Sequence, residues 1–250
     1  MGERGTALIT GGARRIGRAL VTAAADAGYD VAIHVRSVDD QAEAAAADVR
    51  ARGRKAALLV CDLRKEATTV ALVGEAEAEL GVVRLLVNCA SVFEEDAFAD
   101  MNRASWDAHM ETNLRAPLVL AQVFARRLPE GRDGLIVNLL DQRVLRPSPE
   151  FFSYSLSKAA LWDATRMLAQ ALAPRIRVNG IGPGPTLPSV HQDQAAFEAE
   201  AGATLLQRPV SPAEIAQALR YLIDARSVTG QMIAVDAGQH LAPQPEWGRR

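Results

Sequence analysis

Residues 6–20 read TALITGGARRIGRAL and carry three structural signals in succession. Thr6–Thr10 is a short apolar run typical of a buried strand, Gly11 and Gly12 permit a tight turn, and a helical pattern begins near Arg15. In this context the turn and the helix N-terminus are predicted to cradle the pyrophosphate of a dinucleotide, although a plain turn also needs glycine. The residues expected to form the cradle are Gly11, Arg14, Arg15, Ile16 and Gly17.

Strand and helix patterns alternate along the rest of the chain. Strands are predicted at Thr6–Thr10, Asp30–Val35, Ala56–Val60, Arg84–Asn88, Gly134–Leu140, Arg175–Ile181 and Met232–Val235. Helices are predicted near Arg15–Gly28, Asp39–Gly53, Glu66–Leu80, Arg103–Leu128, Ser153–Ala173 and Pro212–Arg226. Strands separated by helices indicate an α/β fold, with a seven-stranded parallel sheet covered on both faces, in one domain over residues 1–250. The polar segment 184–209 breaks this rhythm, and we expect a loop with a short helix there that forms a lid.

Composition narrows the class of protein further. A chain of 250 residues with 49% apolar content suits a globular fold, and a net charge of −2 favours neither a nucleic-acid nor an anionic-membrane partner. No apolar run approaches the roughly 20 residues of a membrane span, and the start Met1-Gly2-Glu3-Arg4-Gly5 leaves no room for a signal peptide. Cys61 and Cys89 fit a reduced, cytoplasmic compartment, and with only scattered histidines beside them no metal site is expected.

The end of the second predicted strand bears on which dinucleotide would bind. An acid there would bind the adenosine ribose and repel a 2′-phosphate, but the chain reads His34-Val35-Arg36-Ser37. Arg36 and Ser37, with Arg14, are therefore predicted to bind a 2′-phosphate, which favours NADP(H) over NAD(H). The alternative is that the arginines are solvated surface residues. Asp62, after the third strand, is expected to accept from the adenine amino group, to cap the next helix, or both.

A candidate acid–base pair follows the fifth predicted strand. Tyr154 and Lys158 are four residues apart, so they share one face of a helix. Because an ammonium favours the phenolate, Lys158 is expected to lower the pKa of Tyr154 from its ordinary value of about 10. Asn88 and Asn113 are further candidates, although an ordinary cap or turn role fits either of them as well.

Together these features closely resemble the short-chain dehydrogenase/reductase family over nearly the whole chain. The resemblance rests on Thr10–Gly17, Asp62, Asn88-Cys89-Ala90, Asn113, Tyr154 with Lys158, Asn179 and Pro183-Gly184. It implies a doubly wound Rossmann domain, a nicotinamide cofactor and usually a homotetramer. It also implies that Tyr154 is the general acid, that Lys158 holds the nicotinamide ribose, and that Asn113 supports a water relay to Lys158. Further cofactor contacts that it implies are His34, Leu63, Asn88, Ala90, Ser91, Tyr154, Pro183 and Gly184.

Three departures from the common family pattern matter for the substrate. The family usually has glycine at Arg15, asparagine and glycine at Cys89 and Ser91, and serine at Asp141. One branch, similar to pteridine reductases and bacterial dihydromonapterin reductases, shares an arginine, a serine and an aspartate at three of these positions. An aspartate at this position can accept from the amidine-like edge of a pterin or, when protonated, pass a proton toward a ring nitrogen. The substrate contacts implied are Arg15, Ser91, Phe93, Asp141 and Tyr154.

Phe93 is expected to stack on the pterin face, unless it is a core aromatic, and Arg15 to approach the pterin and the cofactor phosphates. The resulting hypothesis is an NADPH-dependent reductase that transfers hydride to a C=N carbon of a dihydropteridine, with Tyr154 and Asp141 supplying the proton. The alternative is reduction of an ordinary carbonyl, such as a 3-oxoacyl thioester or a sugar-like ketone. Asp141 argues against that alternative, because a carboxylate would repel the developing oxyanion. A catalytically idle NADP-binding regulator is the third hypothesis, and the intact Tyr154/Lys158/Asn113 set argues against it.

Overall fold

Seven strands form a parallel sheet in the part of the chain that the computed structural model describes, residues 4–189 and 191–243. The strands are β1 (Thr6–Thr10), β2 (Asp30–Val35), β3 (Ala56–Val60), β4 (Val83–Asn88), β5 (Gly134–Leu139), β6 (Ile176–Pro183) and β7 (Met232–Val235). Every neighbouring pair is parallel. The predicted α/β fold with a seven-stranded parallel sheet is confirmed, and the strand ends differ from the predicted ends by two residues at most.

The strand order is β3-β2-β1-β4-β5-β6-β7, so the direction of winding reverses between β1 and β4. Crossover connections diverge at such a point and leave a crevice at the carboxyl ends of the strands. Ile9 of β1 lies opposite Ile33 of β2 and Val87 of β4. The residues that follow these strands therefore meet at one edge of the sheet.

Helices cover both faces of the sheet. They are α1 (Arg15–Asp26), α2 (Asp40–Arg50), α3 (Glu66–Leu80), α4 (Arg103–His109), α5 (Ala116–Arg127), α6 (Phe152–Leu172), α7 (Gln194–Gly202) and α8 (Pro212–Asp224). Successive side chains of a strand point to opposite faces. Ala7 and Ile9 thus pack in the core beneath α1, α2 and α8, whereas Leu8 packs in the core beneath α3, α5 and α6. Burial on both faces explains why the strands read as continuous apolar runs.

The helix predicted over Arg103–Leu128 is not regular along its length. α4 ends at His109, and Met110–Arg115 form a π-helical segment before α5 begins. Pro117 lacks the N–H that a regular α-helix would donate to the carbonyl of Asn113, which favours this wider turn. Hydrophobic periodicity does not reveal a single widened turn, so the prediction of one regular helix was wrong here.

The segment 184–209 contains the short helix α7, with position 190 outside the described residues. Among the helices of the described ranges, none has both the length and the apolar content that a membrane crossing requires.

Candidate active site

A cleft of about 850 Å³ opens at the carboxyl ends of the strands, beside the β1–β4 switch point. The predicted site residues that line it are Gly11, Arg14, Arg15, Ile16, Gly17, His34, Arg36, Ser37, Asp62, Leu63, Ala90, Ser91, Phe93, Asp141, Tyr154, Lys158, Pro183 and Gly184. Asn88 and Asn113 are buried and lie behind the cleft wall. Across residues 4–189 and 191–243, no group of three or more His, Cys, Asp or Glu side chains is arranged to hold a metal ion.

Two glycines, one in the turn after β1 and one in the first turn of α1, leave no room for a side chain. Gly11 has a φ of +65°, and a Cβ there would lie 2.9 Å from the Cα of Ala90. A Cβ at Gly17 would lie 2.0 Å from the carbonyl oxygen of Gly11. No side chain caps the N-terminus of α1, so its first backbone N–H groups remain available to an anion. These residues therefore fit the pyrophosphate of a dinucleotide.

His34 lies beneath this turn and is almost fully buried. The backbone N–H of Gly11 donates to His34 Nδ1 at 3.2 Å, and His34 Nε2 lies 3.0 Å from the carbonyl oxygen of Cys61. An acceptor at Nδ1 requires a neutral imidazole with its proton on Nε2, and burial lowers the pKa of His34, which favours that form. His34 therefore fastens the glycine turn to the ends of β2 and β3.

The residues predicted to bind a 2′-phosphate lie in different surroundings. Arg14 pairs with Asp39, which also caps α2 by accepting from the backbone N–H of Ala42 at 2.9 Å. Arg36 and Ser37 are exposed at the end of β2 and line the cleft. Arg36 thus keeps its guanidinium available for a phosphate, whereas Arg14 shares its charge with a carboxylate.

Asp62 does not cap a helix. Arg64 donates from Nε and Nη2 to the two carboxylate oxygens of Asp62 at 3.0 and 2.9 Å. The N-cap of α3 is Lys65, so the expected capping role of Asp62 is wrong. Hydrogen bonding by the Arg64 side chain lowers the pKa of Asp62 to about 2, which leaves an ionised acceptor at the cleft edge.

Tyr154 and Asp141 form a direct hydrogen bond across the cleft floor. The Tyr154 hydroxyl donates to Asp141 Oδ2 at 2.8 Å. The other carboxylate oxygen accepts from the backbone N–H of Arg143 at 2.8 Å, because Asp141 caps the short turn Gln142–Val144. Burial and the Asp141 charge raise the pKa of Tyr154 well above its ordinary value, since ionising the phenol would place two anions side by side. The expected lowering of this pKa by Lys158 is therefore wrong.

Lys158 is buried beside the ring of Tyr154. Its Nζ donates to the carbonyl oxygen of Leu139 at 2.7 Å and lies 5.7 Å from the Tyr154 ring centroid. Burial lowers the pKa of Lys158 to about 8, against the opposing effect of Asp141. The positive charge that favours the Tyr154 phenolate comes from Arg143 instead.

Asn113 projects from the π-helical segment toward the loop after β4. Its Oδ1 accepts from the backbone N–H of Val92 at 2.8 Å, and its Nδ2 donates to the Val92 carbonyl oxygen at 2.9 Å. Nδ2 also donates to Ser157 Oγ at 3.1 Å, and Ser91 Oγ donates to Asn113 Oδ1 at 3.2 Å. Asn113 thus holds the loop that carries Phe93 against α6, and its part in a water relay stays a prediction.

Asn88 joins the sheet to α6 from behind the cleft. Its Nδ2 donates to Asn138 Oδ1 at 2.8 Å, and Asn138 Nδ2 donates to Thr165 Oγ1 at 2.8 Å. The backbone N–H groups of the two residues after Asn88 both donate to Thr10 Oγ1, at 2.9 and 3.0 Å. Asn88 therefore supports the wall, and direct contact with a cofactor stays a prediction.

Phe93, Phe151 and Tyr154 form an aromatic shelf along the cleft. Phe93 stacks on Phe151 with ring centroids 4.2 Å apart and meets the Tyr154 ring edge-on at 4.7 Å. Phe151 precedes α6 with a φ of +51°, a strained value for a residue with a side chain. Phe151 was not among the predicted residues, because its stacking partner is distant in sequence.

Arg143 is a second cleft residue that sequence reasoning missed. Its Cζ lies 5.3 Å from the Phe151 ring centroid and 5.7 Å from that of Phe93. Its Nη1 lies 3.7 Å from Asp141 Oδ2. The available signal was a basic residue two positions beyond Asp141, where β5 opens into the site.

Arg15 contacts the segment 184–209 instead of the aromatic shelf. It donates from Nη1 to the carbonyl oxygen of Pro188 at 2.9 Å and from Nη2 to that of Leu187 at 3.1 Å. Arg15 has a φ of +50°, a left-handed value that glycine adopts without strain, and glycine is the residue that the short-chain family usually has at this position. On the opposite side, His191 Nε2 lies 3.1 Å from the carbonyl oxygen of Phe93. The segment is thus fastened to both halves of the cleft.

Residues 5–199 match the short chain dehydrogenase family. With the doubly wound sheet and the Tyr154/Lys158 pair, this match places the chain in that family, and it is an oxidoreductase.

Two solved structures and one curated relative illustrate the similarity. FolM alternative dihydrofolate reductase 1 from Brucella canis, complexed with NADP, is 47% identical; the match covers 98% of this chain and 97% of that one, with a TM-score of 0.93. Its counterpart from Brucella suis, also in complex with NADP, is 48% identical over 98% and 99% of the two chains, with a TM-score of 0.93. The 3-oxoacyl-[acyl-carrier-protein] reductase FabG of Staphylococcus epidermidis is 28% identical over 94% of this chain and 99% of its own length.

Proposed function

We propose that this chain is an NADPH-dependent reductase of a dihydropteridine. The observation that carries the proposal is the hydrogen bond from Tyr154 to Asp141 beside the aromatic shelf. A flat bicyclic ring fits against stacked aromatic side chains, and a carboxylate accepts from N–H groups on the ring edge. The two similar proteins from Brucella are named as alternative dihydrofolate reductases, and dihydrofolate contains a dihydropteridine ring.

NADP(H) suits the other half of the cleft. The glycine turn and the uncapped N-terminus of α1 fit the pyrophosphate, and exposed Arg36 and Ser37 fit a 2′-phosphate. Both Brucella relatives were crystallised with NADP. Lys158 would hold the nicotinamide ribose, and NADPH, when bound, supplies the hydride.

The protein must supply one proton for each C=N bond reduced. The double bond becomes a single bond, a new C–H bond takes the hydride, and a new N–H bond takes the proton. Tyr154 retains its proton at neutral pH, because its pKa is raised, and it shares that proton with Asp141. Transfer of this proton leaves a phenolate beside Asp141, which the positive charge of Arg143 stabilises until water returns a proton to Tyr154.

The rival function is reduction of a 3-oxoacyl thioester, and the similarity to FabG favours it. A ketone develops negative charge on oxygen during reduction, and an ionised Asp141 next to Tyr154 would oppose that charge. Reduction of a dihydropteridine makes use of the Asp141 carboxylate, whereas reduction of a thioester ketone requires that its charge be neutralised.

A turnover screen separates these functions. Purified protein with NADPH is assayed against dihydrobiopterin, dihydromonapterin, dihydrofolate and a short 3-oxoacyl thioester, with Tyr154→Phe as the inactive control. We expect oxidation of NADPH with at least one dihydropterin and little with the thioester. Turnover of the thioester alone would contradict the proposal, as would turnover of none.

We further infer a single-domain subunit in which the segment 184–209 serves as the lid, in a cytoplasmic homotetramer. Support for the lid comes from the bonds of Arg15 and His191, and support for assembly from exposed apolar side chains on α6 and after β7. Leu156, Met167 and Leu241 are 40%, 67% and 68% exposed.

Neither cysteine forms a disulfide, which suits a reduced compartment. Light scattering tests the assembly, and a monomer at micromolar concentration would contradict it.

A further inference from the structure

Arg143 is a charged donor without an acceptor for its side chain. In the described ranges, its side chain donates no hydrogen bond, whereas its backbone N–H donates to Asp141 and its carbonyl oxygen accepts from the backbone N–H of Arg146. Its nearest carboxylate oxygen lies 3.7 Å away, beyond hydrogen-bonding distance, yet its side chain is only 17% exposed. A guanidinium carries five N–H donors, and the Arg143 nitrogens are not among the fully buried atoms that lack a partner, so they remain accessible from the cleft. Arg143 lines the cleft, so a bound ligand can provide the missing acceptor.

The surroundings of Arg143 hold its side chain beside the aromatic shelf. Its Cζ lies within 5.7 Å of the centroids of both Phe93 and Phe151, in the range of cation–π contacts. Burial alone would lower the pKa of Arg143, but nearby Asp141, Tyr154, Glu200 and Glu150 outweigh burial and raise it. A permanently charged donor therefore stands next to a carboxylate acceptor where a flat ring would lie.

We propose that Arg143 sets substrate specificity by donating to the 4-oxo group of the pteridine, next to N5, the ring nitrogen that receives the proton from Tyr154 and Asp141. The proposal rests on the dihydropteridine reductase function. The 4-oxo group and N5 are neighbours on one ring edge, so a donor 3.7 Å from the carboxylate that accepts from Tyr154 is placed to reach the oxo group. A 2,4-diaminopteridine presents an amino donor in place of the oxo group and protonates more readily, so Arg143 repels it.

Substitution of Arg143 should therefore change the affinities for two ligands in opposite directions. Arg143→Met keeps most of the side-chain length and removes both the charge and the donors. With NADPH-loaded enzyme, we expect kcat/KM for a dihydropterin to fall about tenfold or more, mainly through KM, as for loss of a hydrogen bond to a charged group. The inhibition constant of 2,4-diaminopteridine should fall in the same variant. Arg103→Met makes the same chemical change at a side chain that is 87% exposed and is the matched control.

Parallel weakening of both ligands would overturn the proposal, because a residue that merely supports the shelf affects both alike. Unchanged values for both would overturn it too. If Arg143→Met does not fold, Arg143→Lys is the second variant. It should still bind 2,4-diaminopteridine poorly, because it keeps the charge, and it should bind the dihydropterin less tightly than the unmodified protein does. Equal affinity of Arg143→Lys for the two ligands would refute the proposal. If the unmodified protein turns over dihydropterin and substitution of Arg143 has no effect, only the role of Arg143 is refuted. If the unmodified protein turns over no dihydropterin, both the proposed function and the role of Arg143 are refuted.

Discussion

Tyr154 and Asp141 are expected to act as one acid, so that the effects of their substitution are not additive. Tyr154→Phe removes the transferable proton but keeps the ring that Phe93 meets at 4.7 Å. Asp141→Asn keeps the shape of the carboxyl group and removes its charge from the 2.8 Å hydrogen bond. A double-mutant cycle over these two changes measures their coupling.

The expected losses follow from the hydrogen bond and from the role of the acid. General acid catalysis contributes at least about 10²-fold, so Tyr154→Phe should raise the barrier by about 2.7 kcal/mol. A hydrogen bond to a charged group contributes about 1.5–3 kcal/mol, so Asp141→Asn alone should lower kcat/KM about tenfold or more. Independent residues would give the double variant a loss of about 10³-fold, whereas a single acidic unit gives it about the loss of Tyr154→Phe alone.

The assay is kcat/KM for a dihydropterin at saturating NADPH in the four proteins of the cycle. NADPH affinity, measured by fluorescence titration, is the control and should change little in Tyr154→Phe. A double variant whose loss equals the product of the single losses would refute the shared-proton mechanism. It would assign the proton to one residue and a separate binding role to the other.

Three further outcomes are expected. Arg36→Asp should reduce or reverse a preference for NADPH over NADH, because it places an anion beside the 2′-phosphate, and equal affinities in the unmodified protein would contradict the cofactor assignment. Asp141→Ser should lower dihydropterin turnover at least about tenfold and leave ketone turnover steady or higher, while equal losses on both would indicate that Asp141 only caps its turn. Burial lowers the pKa of Lys158 from 10.5 to about 8, so between these values the unfolded chain binds more protons and stability rises with pH. Lys158→Met should therefore have a free energy of unfolding at pH 7 that is higher than that of the unmodified protein by up to about 3 kcal/mol. Urea unfolding should show this difference becoming smaller as the pH approaches 10.5. A difference that does not vary with pH would contradict the buried charge.

Local patterns in the sequence were sufficient for the sheet and for the position of the cleft. Apolar runs bounded by turns predicted all seven strands, because burial on both faces of a parallel sheet demands them. Gly11 and Gly17 indicated the turn and the start of the helix, because a Cβ at either position would clash with backbone atoms. Tyr154 and Lys158 were predictable as a pair because a spacing of four on a helix fixes their common face.

Other properties of the site depend on residues that only folding brings together. The pKa of Tyr154 is raised by burial and by Asp141, and a sequence reports neither the solvent exposure of a phenol nor the direction of a carboxylate. Phe151 reaches Phe93, and Arg143 reaches both rings, through contacts between β4, β5 and α6 that no local pattern encodes. Backbone conformation follows from a few neighbouring residues, whereas the electrostatics of a site follow from distances between residues that are remote in sequence, and tertiary packing alone sets those distances.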